Sequence, residues 1–196
     1  FTDSQILGIS TFPYSLKDFF LEGTQQVSAS WITLENLSFP YCISINSSYI
    51  YEQSTDERIN QNDAAITLAH ELGHYLGLRH VFSEGGTTSM CTDTDYCKDT
   101  PSYNRSEYEQ WLNNLDKQKK YQLKDLAKRY SCEKGEYEAH NIMDYAYCFY
   151  NEITLEQRKR IRHILNYSPL IPGPKESRID TRGVQGRLNL PICIMK

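Results

Sequence analysis

Long apolar runs are missing from this chain of 196 residues: no stretch approaches the ~20 residues that a membrane-spanning helix needs. Basic runs are missing too, as is any ladder of basic and aromatic side chains, and the net charge is −4 at pH 7. Nucleic acid is therefore not an expected partner. None of the six cysteines stands in a C-x-x-C pair, the nearest neighbours being Cys91 and Cys97. That removes a zinc ribbon and a thioredoxin-like redox site. There is no internal repeat and no low-complexity segment. What remains, with 39% hydrophobic and 23% charged residues, is an ordinary globular composition. The length suffices for one buried core, or for one domain split by a cleft.

Six cysteines are an even number and many for a cytosolic enzyme of this size. Disulfides, and with them an exported protein, are the expectation; reduced buried thiols are the alternative. The opening FTDSQILGIS already runs close to a first strand, which predicts that an upstream targeting segment has been removed.

Residues 6–12 and 43–51 are rich in β-branched and aromatic residues and read as strands, with 31–39 a weaker third. Residues 15–22 suggest a short helix. Asn62 or Asp63 can cap the helix that follows, which runs as AAITLAHELGHYLG until Gly77. Residues 83–105 are loop-like, dense in Ser, Thr, Asp, Gly and Pro. Ser106 with Glu109 forms a capping box opening a charged, lysine-rich helical region over 106–130, expected to be a solvated surface without function. Residues 137–150 form an irregular apolar turn. Thr154 with Gln157 caps a last helix to about Asn166, and a turn-rich tail follows.

Only five histidines occur in the chain, and three of them fall within residues 70–80, HELGHYLGLRH. His70 and His74, four apart, share one helical face about a turn apart and can hold one metal ion. Glu71 reaches the same pocket. His80 cannot join them on a straight helix, because six residues beyond His74 it points ~240° round. The helix must stop and the chain must turn, and Gly77 stands where that turn is needed. Three neutral imidazoles with an open fourth position describe a catalytic zinc site rather than a closed structural one. The spacing H-E-x-x-H-x-x-G-x-x-H is the metzincin zinc signature.

HELGHYLGLRH, together with NIMDY some sixty residues later, resembles the metzincin zinc peptidases, and more closely their pappalysin branch. The finer likeness lies in the tripeptide Asp99-Thr100-Pro101, in the M-D-Y turn, in a cysteine just beyond it followed by a helix, and weakly in LGISTFP at 7–13. It covers roughly residues 6 to 165. The resemblance implies an α/β (α+β) metzincin-like fold: a small twisted mixed sheet and the zinc helix in an upper subdomain, residues 1–79. A mostly irregular and helical lower subdomain, 80–196, carries the Met-turn, with the cleft between the two. It implies zinc on His70, His74 and His80, with Glu71 as general base toward a metal-bound water and a peptide bond as the target. Met143 would form the floor under the metal, and the Tyr145 phenol would approach the metal or the oxyanion. A peptide would pair with an exposed strand edge, for which residues 44–51 are the candidate, an interior strand being the alternative for that segment.

The resemblance further implies calcium in the acidic loop 91–101, through Asp93, Asp95 and Asp99, although turn-forming aspartates explain that loop equally. For the cysteines it suggests Cys91–Cys132, Cys97–Cys148 and Cys42–Cys193. His140 is expected to face solvent or be satisfied locally, and His163 to be structural. Some members carry an acidic residue just before the cysteine after the Met-turn, in a pocket that accepts arginine. Tyr147 stands there in this chain, so an arginine preference is not carried over. The expected protein is a monomeric zinc endopeptidase that is secreted, periplasmic or on the cell surface, and acts on proteins or peptides. Its rivals are a zinc hydrolase of another class, a catalytically silent metzincin-like peptide-binding module, and a structural zinc domain.

Overall fold

A computed structural model describes residues 6–33, 35–36, 41–50, 63–82, 94–131, 133–145 and 147–171. In chain order the first half holds β1 (Gly8–Ser10), β2 (Tyr14–Leu16), β3 (Gln25–Val27), β4 (Ile43–Ile45) and helix α1 (Ala64–Tyr75). The second half holds α2 (Arg105–Asn113), a single-turn α3 (Leu123–Leu126), β5 (Lys128–Ser131), β6 (Gly135–Glu138) and α4 (Leu155–Tyr167). Strands β1 and β4 pair antiparallel with Ile9 opposite Ser44, β2 and β3 pair parallel, and β5 and β6 form an antiparallel hairpin. The fold is mixed α and β, as expected. Among the described residues, however, the strands form three two-stranded ladders rather than one sheet.

Helix α1 follows its sequence signals closely. Asp63 accepts from the backbone N–H groups of Ala65 and Ile66, satisfying donors that a helix start leaves orphaned. The helix packs on β1 and β4. Its buried positions are Thr67, His70, Glu71 and Gly73, while Leu68 and Leu72 are exposed. The polar, chemistry-bearing face is thus the one turned inward. At the far end Gly77 takes φ +87°. Its N–H donates to the His74 carbonyl, and the N–H of Leu78 donates to the Gly73 carbonyl, both at 2.9 Å. This is the left-handed glycine stop that turns the chain toward His80. Glycine is needed twice there, since an added Cβ would stand 2.8 Å from Cγ1 of Ile164 on α4. Arg160, buried on the same helix, donates from Nε and Nη2 to the Gly77 carbonyl at 3.2 and 3.1 Å. Helix α4 therefore locks the corner that α1 ends in. The capping box that starts α4, Thr154 with Gln157, forms in both directions.

Several expectations are corrected. Residues 14–19 form β2 and a 3-10 turn instead of a helix, because Tyr14 and Leu16 pair with Gln25 and Val27, a partner that local pattern does not reveal. Residues 29–31 form a 3-10 turn where the weaker strand was expected to begin. Strand β4 stops at Ile45, and Asn46 caps a 3-10 turn over 47–49. The cap of α2 is Asn104, which accepts from the Glu107 N–H, rather than Ser106. The lysine-rich region is not helical to residue 130, since Lys128–Ser131 is β5, paired with β6.

Candidate metal centre and active site

The corner at Gly77 delivers what the third histidine requires. Nε2 of His80 lies 3.2 Å from Nε2 of His70 and 3.0 Å from Nε2 of His74. On the two helical histidines the opposite nitrogens are engaged: Nδ1 of His70 lies 2.7 Å from the Ile142 carbonyl, and Nδ1 of His74 lies 2.8 Å from the Leu78 carbonyl. A carbonyl can only accept, so both Nδ1 atoms carry the proton and both Nε2 atoms present lone pairs. Lone pairs aimed at Nε2 of His80 at that distance repel unless a proton on His80 or a cation lies between them. Nitrogens bound tetrahedrally at ~2.0–2.1 Å stand about 3.3 Å apart, close to the spacing here. The donor set fits zinc, and among the described residues it is the one cluster of three or more His, Cys, Asp or Glu able to hold a metal. Burial and the neighbouring His74 and His80 hold His70 far below the usual imidazole range, to about 3, so its ring stays neutral and able to ligate.

Glu71 is buried beside His70, and burial pushes its carboxyl up to about 7. It lies against the backbone of β1: a Cβ added to Gly8 would stand 2.6 Å from Cγ and 2.9 Å from Oε1 of Glu71. Gly8 thus leaves the space the carboxylate occupies. An isolated glycine within a strand pattern is the signal that could have announced this close approach.

Met143 is fully buried with Leu78 and Val81. Its sulfur lies under α1, where a Cβ on Gly73 would come within 2.3 Å of Sδ. Two bonds fix the turn around it. The Asn141 Oδ1 accepts from the Met143 N–H at 3.0 Å, and the Met143 carbonyl accepts from Val81 at 3.3 Å. Asn141 is in turn paired with Gln157 of α4 through both its amide atoms. The Tyr145 ring lies against the histidine cluster, 4.4 Å from the His80 ring and 5.3 Å from the His70 ring between centroids.

Sequence reasoning missed the group that holds this turn. Arg129 of β5 is buried, and its Nη2 donates to the carbonyls of Tyr145 and Tyr147 at 3.1 and 3.0 Å. Its Nε lies 3.5 Å from Oδ2 of Asp144, whose Oδ1 accepts from the Tyr103 hydroxyl and the Tyr145 N–H. The guanidinium also lies 3.6 Å from the Tyr108 ring centroid. Burial pushes the Asp144 carboxyl up, while Arg129 and the two hydrogen bonds pull it back toward the ionised form. A charged hairpin assigned to solvent supplies the buried cation of the Met-turn.

A cleft of about 480 Å³ reaches the triad at His70. Its walls include His70, Glu71, Tyr145, Tyr103, Arg105 and Gly8. The strand bordering it is β1 with the residues just before it, and β4 supplies no wall residue. The expected substrate edge over 44–51 therefore does not line the cleft within residues 44–50, and Tyr51 lies outside the described residues.

Comparison with known proteins agrees with this geometry. The family profile described as pregnancy-associated plasma protein-A, a peptidase family, matches residues 31–166. The chain belongs to the pappalysin family. Extracellular metalloproteases of Arthroderma benhamiae and Trichophyton verrucosum are each 37% identical to this pappalysin over 108 residues, covering 54% of it and 32% of their own length. That of Arthroderma otae is 37% identical over 108 residues, covering 33% of its length. The chain spans about a third of the curated relatives it matches.

The remaining expectations for this pappalysin divide. Asp95 accepts from the Cys97 N–H and the Thr100 hydroxyl, and Asp99 accepts from the Thr154 hydroxyl and the Glu156 N–H at the start of α4. In these bonds Asp95 closes a turn and Asp99 caps a helix start; Asp93 lies outside the described residues. The pairing Cys97–Cys148 is not formed. Each is a free buried thiol, Cys97 Sγ near the Asp95 carbonyl and Cys148 Sγ near that of Asn141, so each faces its own loop. Cys42 is also free; Cys91, Cys132 and Cys193 lie outside the described residues. His140 bonds Asn151 and stacks on Phe149, and His163 bonds the Phe19 carbonyl, both local roles.

Proposed function

We propose that this chain is the catalytic domain of a zinc endopeptidase that works outside the cytoplasm. The observation that carries the reading is the convergence of three imidazole Nε2 atoms, with His70 and the Glu71 carboxyl beside it in the wall of an open cleft. The extracellular naming of the fungal relatives supports export, and none of the helices among the described residues is long and apolar enough to cross a membrane. The two-subdomain division at residues 79 and 80 belongs to the same proposal, with His70, His74 and Glu71 from the first part facing Met143 and Tyr145 from the second.

His70, His74 and His80 would hold the zinc through Nε2. A zinc ion there supplies a Lewis acid that polarises a carbonyl and lowers the pKa of water toward ~7. The chain's own groups carry the rest. Glu71 accepts a proton from the attacking water and delivers it to the leaving amine, so its placement against Gly8 sets where that proton is exchanged. The Ile142 and Leu78 carbonyls keep the ligating tautomer on His70 and His74. Tyr145 stands on the Met-turn beside His80, in position to donate to the oxyanion that develops as the carbonyl becomes tetrahedral. The substrate is an extended peptide lying along β1, whose Gly8 borders the cleft.

A chelator titration tests the reading. Casein hydrolysis should vanish when 1,10-phenanthroline strips the protein and return with one equivalent of zinc. Activity that persists in the metal-stripped protein refutes it.

A further inference from the structure

One charged side chain in the cleft has no part in the reaction above. Arg105 opens α2 and lines the cleft together with Glu109 one turn on. Its guanidinium carbon lies 4.6 Å from the centroid of the Tyr145 ring and 5.1 Å from that of Phe82, so the fork is held over the same aromatic cluster that touches His80. Nε is tied to Oε1 of Glu109. Among the described residues Arg105 makes no other hydrogen bond or ion pair, so its terminal nitrogens keep their donors for another group.

The acids around it are otherwise engaged. Asp144 is held by Arg129 and Tyr103, Glu71 is the proposed proton carrier, and Glu109 bonds the guanidinium edge opposite its terminal pair. Stacking on aromatic faces steadies a guanidinium without neutralising it, and a free terminal fork matches a carboxylate in two parallel hydrogen bonds. A basic substrate side chain would meet like charge at the same place.

The geometry points to Arg105 as a specificity-determining residue: the cleft beside the histidines takes a substrate side chain that ends in a carboxylate. Glutamate suits it best, since its longer stem lets the head reach Arg105 while its methylenes lie along the tyrosines. This rests on the peptidase reading, and its test separates the two.

Three peptides are compared, identical except that the residue filling the cleft, located by mapping casein cuts by mass spectrometry, is Glu, Gln or Arg. The glutamate peptide should exceed the glutamine peptide in kcat/KM by ~10-fold or more, mostly through KM, which is the worth of a charge-assisted hydrogen bond. The arginine peptide should fall below both. Arg105→Leu should abolish the Glu-to-Gln ratio, and Arg105→Lys should keep part of it. Binding of the same labelled peptides to the Glu71→Ala protein, read by fluorescence polarisation, should show the same order and the same loss with Arg105→Leu added. Equal cleavage of the Glu and Gln peptides, faster cleavage of the Arg peptide, or an unchanged ratio in Arg105→Leu overturns the inference. If nothing is cut, the peptidase reading fails, and equal affinity for the Glu and Gln peptides in the binding assay then overturns the inference as well.

Discussion

Replacing Gly73 by alanine sets two terms of opposite sign against each other. In a helix interior alanine is better than glycine by about 0.5–1 kcal/mol. Against this, the new Cβ would stand 2.3 Å from Sδ of Met143, where ordinary contact is about 3.5–4.0 Å, so the sulfur must retreat by more than 1 Å. Met143 has nowhere to go: it is fully buried against Leu78 and Val81, and its backbone is held by Asn141 and Val81. Overpacking of this kind costs about 1–3 kcal/mol. The steric term wins, and Gly73→Ala should destabilise by about 1–2 kcal/mol, lowering Tm by roughly 2–8 °C for a chain of this size. The displacement also pushes on Ile142, whose carbonyl orients His70, so zinc affinity should drop about 10-fold or more in a competition assay. In a Met143→Ala background the sign should reverse, with alanine at 73 stabilising by about 0.5–1 kcal/mol, since the obstacle is gone and the propensity term remains. A Gly73→Ala protein more stable than wild type, with unchanged zinc affinity, would refute the idea that the Met-turn presses on the zinc helix.

Two further outcomes follow from the buried groups. Arg129→Met leaves the Asp144 carboxylate buried without its cation and should cost about 3–5 kcal/mol, of which Asp144→Asn added to it should return a part; thermal denaturation of both variants decides. Burial pushes the thiols of Cys97 and Cys148 up to about 12, so iodoacetamide at pH 8 should leave both unmodified in the native protein and label both after unfolding without reductant. Resistance to labelling in the unfolded protein would mean that they are oxidised.

What could be read from the sequence was what local rules encode. Helix α1 declared itself through an acidic cap, and Gly77 was required as soon as His80 had to return to His70 and His74. The start of α4 was legible because Thr154 and Gln157 satisfy each other within one turn. Elements defined by a distant partner were not legible. Strand β2 exists because of β3, and the hairpin β5–β6 is charged along its length, so nothing in its pattern separates Arg129, which is buried, from Lys128, which is exposed. Arg129 becomes interior only because Asp144, Tyr103 and two Met-turn carbonyls arrive from elsewhere in the chain. In the candidate site the ligands were visible as a motif, whereas their supports were not. Gly8 and Gly73 matter for the side chains they leave room for, and spacing does not record that. The cysteine pairing misled because resemblance supplies partners without supplying the direction each thiol faces.

In the proposed function Glu71, beside three zinc-holding histidines, moves the proton in peptide hydrolysis. The most direct measurement is the rate of casein cleavage by the wild-type chain and by Glu71→Ala at equal, measured zinc content. One zinc should be found in each, and the rate in the variant should be lower by about two to four orders of magnitude, the usual worth of a general base. Equal rates at equal zinc, or a wild-type chain that holds zinc and cuts nothing, would contradict it.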